Sequence, residues 1–339
     1  MADSRSETSR RTFLRGTLLS SAALALGARG ENEPAPAPAP SLTIPSGAGL
    51  PRRPFGRHPD QLSIVGFGAI VVMRSEPEFA ARVVAEAVER GVNYFDVAPS
   101  YGNAMERLGP ALKPYRDRCF LACKTEQRTA EGARADMEKS LAMMQTDHFD
   151  LYQLHAITSL AKDVDAVFAK GGAMETFLEA KRSGRVRYLG FSAHSVEAAL
   201  AAMDRYDFDS VLFPFNIVTW EKGGFGPQVM ERAQAKGMAR LALKAMAREP
   251  WASKNDPERK AHPNCWYRPL TELREVELAL RYTLSLPVTA ALPPGDPSLF
   301  RMALDIASIF RPITEEETRE LRGRLASSQP IFRCPSSAA

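Results

Sequence analysis

The sequence predicts a parallel (β/α)8 barrel (a TIM barrel), preceded by an N-terminal hairpin and followed by an extra C-terminal helix. Three observations point there. Short apolar runs alternate eight times with helical periodicity over about 280 residues, as in a chain of parallel βαβ units of ordinary barrel length. Gly91, Gly184 and Gly237 each follow a helical stretch, where a C-cap glycine belongs. The competing fold, an open doubly wound sheet, wants a glycine-rich dinucleotide turn after its first strand. Gly66-Phe67-Gly68-Ala69-Ile70-Val71 lacks the third glycine.

Phe55-Gly56-Arg57 to Gln61-Leu62 predicts the hairpin, and Ser63 to Gly68 the first barrel strand. Glu78 to Glu89 has helical spacing. Asn93 to Asp96 is strand two, with a short helix around Glu106 to Leu112. Cys119 to Lys124 is strand three. Glu131 to Met144 is helical, with Met137, Leu141 and Met144 on one face. Phe149 to His155 is strand four, followed by a helix over Met174 to Arg182. Val186 to Phe191, Ser210 to Phe215, Arg240 to Lys244 and Val288 to Leu292 are strands five to eight. The intervening helices are Val196 to Met203, Gln228 to Ala235 and Leu270 to Ser285. Ser298 to Ile309 and Glu315 to Leu325 complete the helices. The segment Glu249 to Arg268 has no regular pattern. Long irregular loops in barrels are often functional, and its Trp251, Trp266 and Tyr267 would suit the wall of a substrate pocket.

The N-terminus is a separate object. Ser9-Arg10-Arg11-Thr12-Phe13-Leu14-Arg15 precedes Gly16 to Ala28, a run of small and moderately apolar residues. Paired arginines, Phe-Leu and an apolar run in that order predict a twin-arginine export signal over 1–30. The expected partner is the export machinery and the expected location is exported, in the periplasm. The segment is either cleaved or kept as a membrane anchor. Residues 31–52, rich in Ala-Pro and Ser-Gly, favour polyproline II and read as a tether. The barrel is expected over 53–332, with a tail at 333–339.

Of 339 residues, 45% are hydrophobic and 25% charged, ordinary for a globular protein, and the net charge of +4 is spread along the chain. Without a basic cluster, no nucleic-acid partner is expected. The cysteines Cys119, Cys123, Cys265 and Cys334 form no CxxC, and no metal site is expected. Cys119 and Cys123, four apart on one strand, stand roughly 13 Å apart and cannot bridge each other. His58, His148 and His262 are expected in solvent.

Function concentrates in Asp96, Tyr101, Lys124 and His155. Each ends or closely follows a predicted strand, so a parallel barrel brings all four to one mouth. An acid, a phenol, an ammonium and an imidazole together suit proton transfer to a carbonyl oxygen. The motifs are Gly91 to Asp96 through Tyr101-Gly102, then Glu106-Arg107-Leu108-Gly109 and Lys124-Thr125. Asp150-Leu151-Tyr152-Gln153-Leu154-His155 and Gly184 to Ser192 follow. On these the chain resembles the aldo/keto reductases, from about Phe55 to Ile309. The resemblance implies carbonyl reduction with a nicotinamide cofactor, NADP sooner than NAD, and a small carbonyl or alcohol substrate. It makes Tyr101 the general acid, its pKa lowered by Lys124. Asp96 holds Lys124, and His155 orients the substrate oxygen.

The same resemblance points to Ser192, His194, Lys244, Gly295 and Arg301 as cofactor contacts. Arg301 is assigned to a 2′-phosphate. Three expected contacts are replaced by Ala193, Phe213 and Leu243. Phe213 is expected where a carboxamide-binding glutamine commonly stands. With that clamp altered, a cofactor-binding sensor or partner protein with little turnover is the alternative to an enzyme.

Overall fold

A computed structural model describes residues 49–334. The predicted export segment and most of the predicted tether lie outside the described residues. Arg52–Pro54 (β1) and Gln61–Ser63 (β2) pair antiparallel, the expected hairpin. Phe55 at its turn is fully buried, its ring 4.9 Å from Phe120 and 5.1 Å from Tyr188. The hairpin thus plugs the N-terminal end of the barrel. Gly56 has φ 57°, and a Cβ there would stand 2.4 Å from the Ala239 nitrogen, so only glycine lets the turn come this close to Ala239. Leu50, placed in the tether by its sequence neighbours, is buried in the core.

The barrel strands are Phe67–Gly68 (β3), Tyr94–Asp96 (β4), Phe120–Thr125 (β5), Phe149–Ile157 (β6), Val186–Ala193 (β7), Ser210–Pro214 (β8) and Ala239–Leu243 (β9). Two strands, Ala247–Pro250 (β10) and Tyr267–Pro269 (β11), lie outside the barrel. Ala290–Leu292 (β12) is its last strand. Each barrel strand pairs in parallel with the next, in the order β3-β4-β5-β6-β7-β8-β9-β12. A parallel bridge between Val65 and Ala291 joins the two ends. The fold is the (β/α)8 barrel expected.

Alternation along each strand separates two cores. Tyr94, Phe120, Leu151, Leu212, Leu241 and Leu292 fill the interior together with Phe55 and Leu62. Phe95, Leu121, Tyr152, Phe191 and Phe213 face outward into the helical layer. That layer begins with Pro77–Glu89 (α1), Ala104–Leu112 (α2), Ala130–Met144 (α3), the single turn Ala166–Phe168 (α4) and Ala173–Arg182 (α5). Val196–Arg205 (α6), Pro227–Ala235 (α7), Leu273–Ser285 (α8), Pro297–Ser308 (α9) and the trailing Glu315–Arg324 (α10) follow. A buried pair ties α10 to α8: Arg281, 2% exposed, donates to both carboxylate oxygens of Glu317 at 2.8 and 2.7 Å.

The segment Glu249 to Arg268 differs from expectation. Its ends form β10 and β11, paired antiparallel. α8 starts at Leu273 rather than Leu270, because the Leu270 N–H is held by the Met246 carbonyl and the Glu272 carboxylate caps the helix. His58 and His262 are not solvated histidines. They bond Asp209 and Asp296, each at 2.8 Å. All four cysteines are free thiols.

Candidate active site

Asp96 is the last residue of β4, Lys124 lies near the end of β5, and His155 is on β6. All three have the inward parity, so the strand ends deliver them to the C-terminal mouth. Tyr101 sits in the turn before α2, its backbone N–H bonded to the Ala98 carbonyl. The sequence-derived quartet is therefore assembled. Lys124 and Asp96 are buried at 0% and 1% exposure and form an ion pair. The same ammonium reaches the Tyr101 hydroxyl at 3.3 Å and the Val97 carbonyl at 3.4 Å.

The second Asp96 oxygen accepts from Tyr94 Oη and Gln153 Nε2, each at 3.3 Å. Gln153 was not singled out from sequence. Its place two residues before His155 on one strand, hence on the same face, is the signal that finds it. His155 Nδ1 stands 3.4 Å from Ser100 Oγ and 3.3 Å from a Glu126 oxygen. Arg128 holds the His155 carbonyl at 2.8 Å, and the next residue, Ala156, has φ 53°. The Ala156 N–H donates to Ser192 Oγ at 2.7 Å, which takes one acceptor lone pair of that hydroxyl.

Burial, opposed by Lys124, leaves the Tyr101 phenol above its ordinary value, so it is a protonated donor at neutral pH. The expectation that Lys124 lowers the value overall is corrected: its pull is in the expected direction, and desolvation outweighs it. Desolvation pulls the Lys124 pKa down, but Asp96 and Tyr101 together outweigh it, so the value is raised and the ammonium stays charged. His155 is pushed down to about 3 by burial, then by Lys124, Lys244 and Arg128, and is neutral.

The other expected contacts divide. Lys244 and Gly295 line the mouth cavity, about 90 Å3, together with Tyr101 and Asp96. Lys244 Nζ is 3.1 Å from His194 Nε2, and the His194 ring stacks on Phe332. Phe332, from the C-terminal segment, had no sequence signal. Arg301 is not brought to the mouth group. It lies on α9 and pairs with Glu86 of α1 at 2.8–2.9 Å. Phe213 faces outward onto Phe225, so the expected alignment is off by one. Leu212 is the β8 residue in the cavity wall, and it is also apolar. Trp266 and Tyr267 wall the mouth as expected, whereas Trp251 lines a separate cavity of about 480 Å3.

Asn264, also unforeseen, fastens this wall. Its amide donates to the Ile70 and Met73 carbonyls at 3.1 and 3.2 Å. Gly295 is packed so closely beneath that a Cβ would stand 2.7 Å from Ile70.

The decisive comparison is with a protein-family model, Aldo/keto reductase family, which matches residues 65–318. The chain belongs to the aldo/keto reductase family. It is also similar to two curated proteins and to a solved structure. YqkF of Bacillus subtilis, an uncharacterized oxidoreductase, is 25% identical over 317 residues, 85% of this chain and all of YqkF. The 6-dehydroglucose reductase of Novosphingobium aromaticivorans is 28% identical over 148 residues, 38% of this chain and 46% of the enzyme. In fold, the chain resembles the aldo-keto reductase AKR11C1 of Bacillus halodurans in its holo form. The TM-score is 0.63 at 24% identity, covering 85% of this chain and 99% of that one. Aldo/keto reductases bind nicotinamide cofactors, and this chain is an oxidoreductase by family.

Proposed function

We propose that this aldo/keto reductase acts on a carbonyl–alcohol pair, with Tyr101 giving the proton to the carbonyl oxygen. The observation that carries the reading is the unbroken chain from Asp96 through Lys124 to the Tyr101 hydroxyl. As the proton leaves, Lys124 at 3.3 Å stabilises the phenolate, a charge that exists only late in the step. Asp96 fixes the ammonium and keeps it charged. Neutral His155 offers a ring nitrogen to the substrate oxygen and orients it.

In family members a bound nicotinamide supplies the hydride. As packed, the residues of this mouth do not fit a dinucleotide. A cavity of about 90 Å3 is well below the 300–1,000 Å3 of sites for ligands of that order. Ala193, Leu212 and Leu243 offer no polar side chain. Asp296 sets a carboxylate on the first N–H groups of α9. NADP is the first cofactor to test and NAD the second, an order that rests on Arg301 and is weakened by Glu86.

The closed mouth favours the second reading as well, a cofactor-responsive sensor or partner protein with little turnover. A carbonyl screen with NADPH and NADH, beside a fluorescence titration of both, separates the two. Turnover lost in Tyr101→Phe supports the enzyme, binding without turnover supports the sensor, and absence of both removes the reductase reading. Export is proposed from Arg10 and Arg11, and fractionation of the tagged full chain tests it.

A further inference from the structure

Lys244 stands one residue past β9, at the catalytic end of the barrel. Its φ is 63°, a left-handed conformation that a non-glycine residue holds only when its surroundings impose it. The side chain is buried. Its amine lies 3.1 Å from His194 Nε2, over the Trp266 ring at 5.3 Å and the Phe332 ring at 5.6 Å. Among the described residues no carboxylate pairs with it, in contrast to Lys124 with Asp96. It opens into the cavity that Tyr101 and Asp96 line.

We propose that Lys244 is a covalent capture site for small aldehydes and ketones, its Nζ adding to the carbonyl carbon in the mouth cavity to form a Schiff base. This deepens the carbonyl reading of the same cavity and uses no nicotinamide. Lysines are activated for such addition by desolvation and by a neighbouring cation. Both act here: burial first, then the charge of Lys124, push the Lys244 amine down to about 7. The nitrogen lone pair forms the C–N bond while the carbonyl π pair moves to oxygen. Tyr101 can protonate that oxygen and recover a proton from nitrogen. Both amine protons finally leave with the carbonyl oxygen as water, so neither oxidant nor reductant is consumed. The cavity limits the partner to a small carbonyl compound.

The test is borohydride trapping with glycolaldehyde at neutral pH, on the full chain without nicotinamide, followed by peptide mass mapping. Borohydride delivers hydride to the C=N carbon and leaves a stable secondary amine. An exposed lysine titrates near 10.4, so little of it is free amine at pH 7. The peptide carrying residue 244 is expected to be labelled roughly a hundredfold above those carrying exposed Lys170 and Lys254. Lys124 is expected to stay unlabelled. Lys244→Arg should remove the selective label. Labelling of Lys244 no greater than that of the exposed lysines, or undiminished total selective label in Lys244→Arg, overturns the proposal. Mapping of the unsubstituted protein decides even where the variant fails to fold. Nicotinamide-dependent turnover is measured separately, so failure of the reductase reading and failure of this one are distinguishable.

Discussion

The ammonium of Lys124 lies 3.3 Å from the hydroxyl oxygen of Tyr101, although 23 residues separate them in the chain. The phenol is half-buried, with the lysine as its one side-chain hydrogen-bond partner among the described residues. Tyr101→Phe is therefore expected to fold normally and to lose carbonyl reduction by about 10²–10⁴-fold. Steady-state rates beside a thermal melt check both halves. Wild-type rates would remove Tyr101 from the mechanism.

Asp96 and Lys124 are both buried, so removing one partner strands the other charge. Asp96→Asn is expected to cost about 3–5 kcal/mol in urea unfolding. Asp96→Asn combined with Lys124→Met should cost less than Asp96→Asn alone, since no charge is then left unpaired. A double variant with the two costs simply added would contradict the coupling.

A second ion pair lies far from the mouth. The Arg281 guanidinium holds the Glu317 carboxyl well below the usual carboxylate range. That stability is present above the unfolded carboxylate value near 4.3 and is lost as pH falls. Glu317→Ala is expected to destabilise at pH 7 by about 1–3 kcal/mol while leaving the mouth intact, since Arg281 keeps Glu277 at 3.0 Å. The difference from wild type should shrink on acidification.

His155 is lowered to about 3, chiefly by burial and then by Lys124, Lys244 and Arg128, and His194 to about 2, chiefly by burial and then by Lys244 and His155. Below pH 6.5 the unfolded chain takes up two protons that the folded chain refuses. Stability should fall on acidification towards pH 3 by about 1.4 kcal/mol per pH unit for each histidine. Urea midpoints of wild type and His194→Asn between pH 7 and 4 check this. The variant should show the shallower fall.

Asn264 holds the mouth closed with two hydrogen bonds, each worth about 1 kcal/mol net. If closure opposes cofactor entry, Asn264→Ala should tighten NADPH binding by roughly tenfold, read by fluorescence titration. Unchanged affinity would show that the latch and the cofactor do not compete.

Much of the barrel was legible from the chain because strand and helix periods are local. The quartet was legible because parallel strands deliver their ends to one mouth. Phe213 shows the limit on register: period two makes a one-residue error a change of face, and only the packing of its ring on Phe225 placed Leu212 at the mouth. Tyr101 shows the limit on electrostatics. Sequence supplies a lysine that lowers its pKa, and only burial, a property of the whole fold, shows that desolvation wins. Arg301 shows the limit on assignment, since its partner Glu86 is 215 residues away.

By itself the sequence determined the barrel, the family and the four residues that converge, because each depends on local periodicity and ordered motifs. Tertiary structure alone decided what surrounds them. The 249–268 segment, folded back as β10 and β11, brings Asn264 and Trp266 over the mouth, and the C-terminal segment adds Phe332. These contacts join residues distant in the chain. Burial and electrostatics depend on such spatial neighbours, which no local pattern in the sequence records.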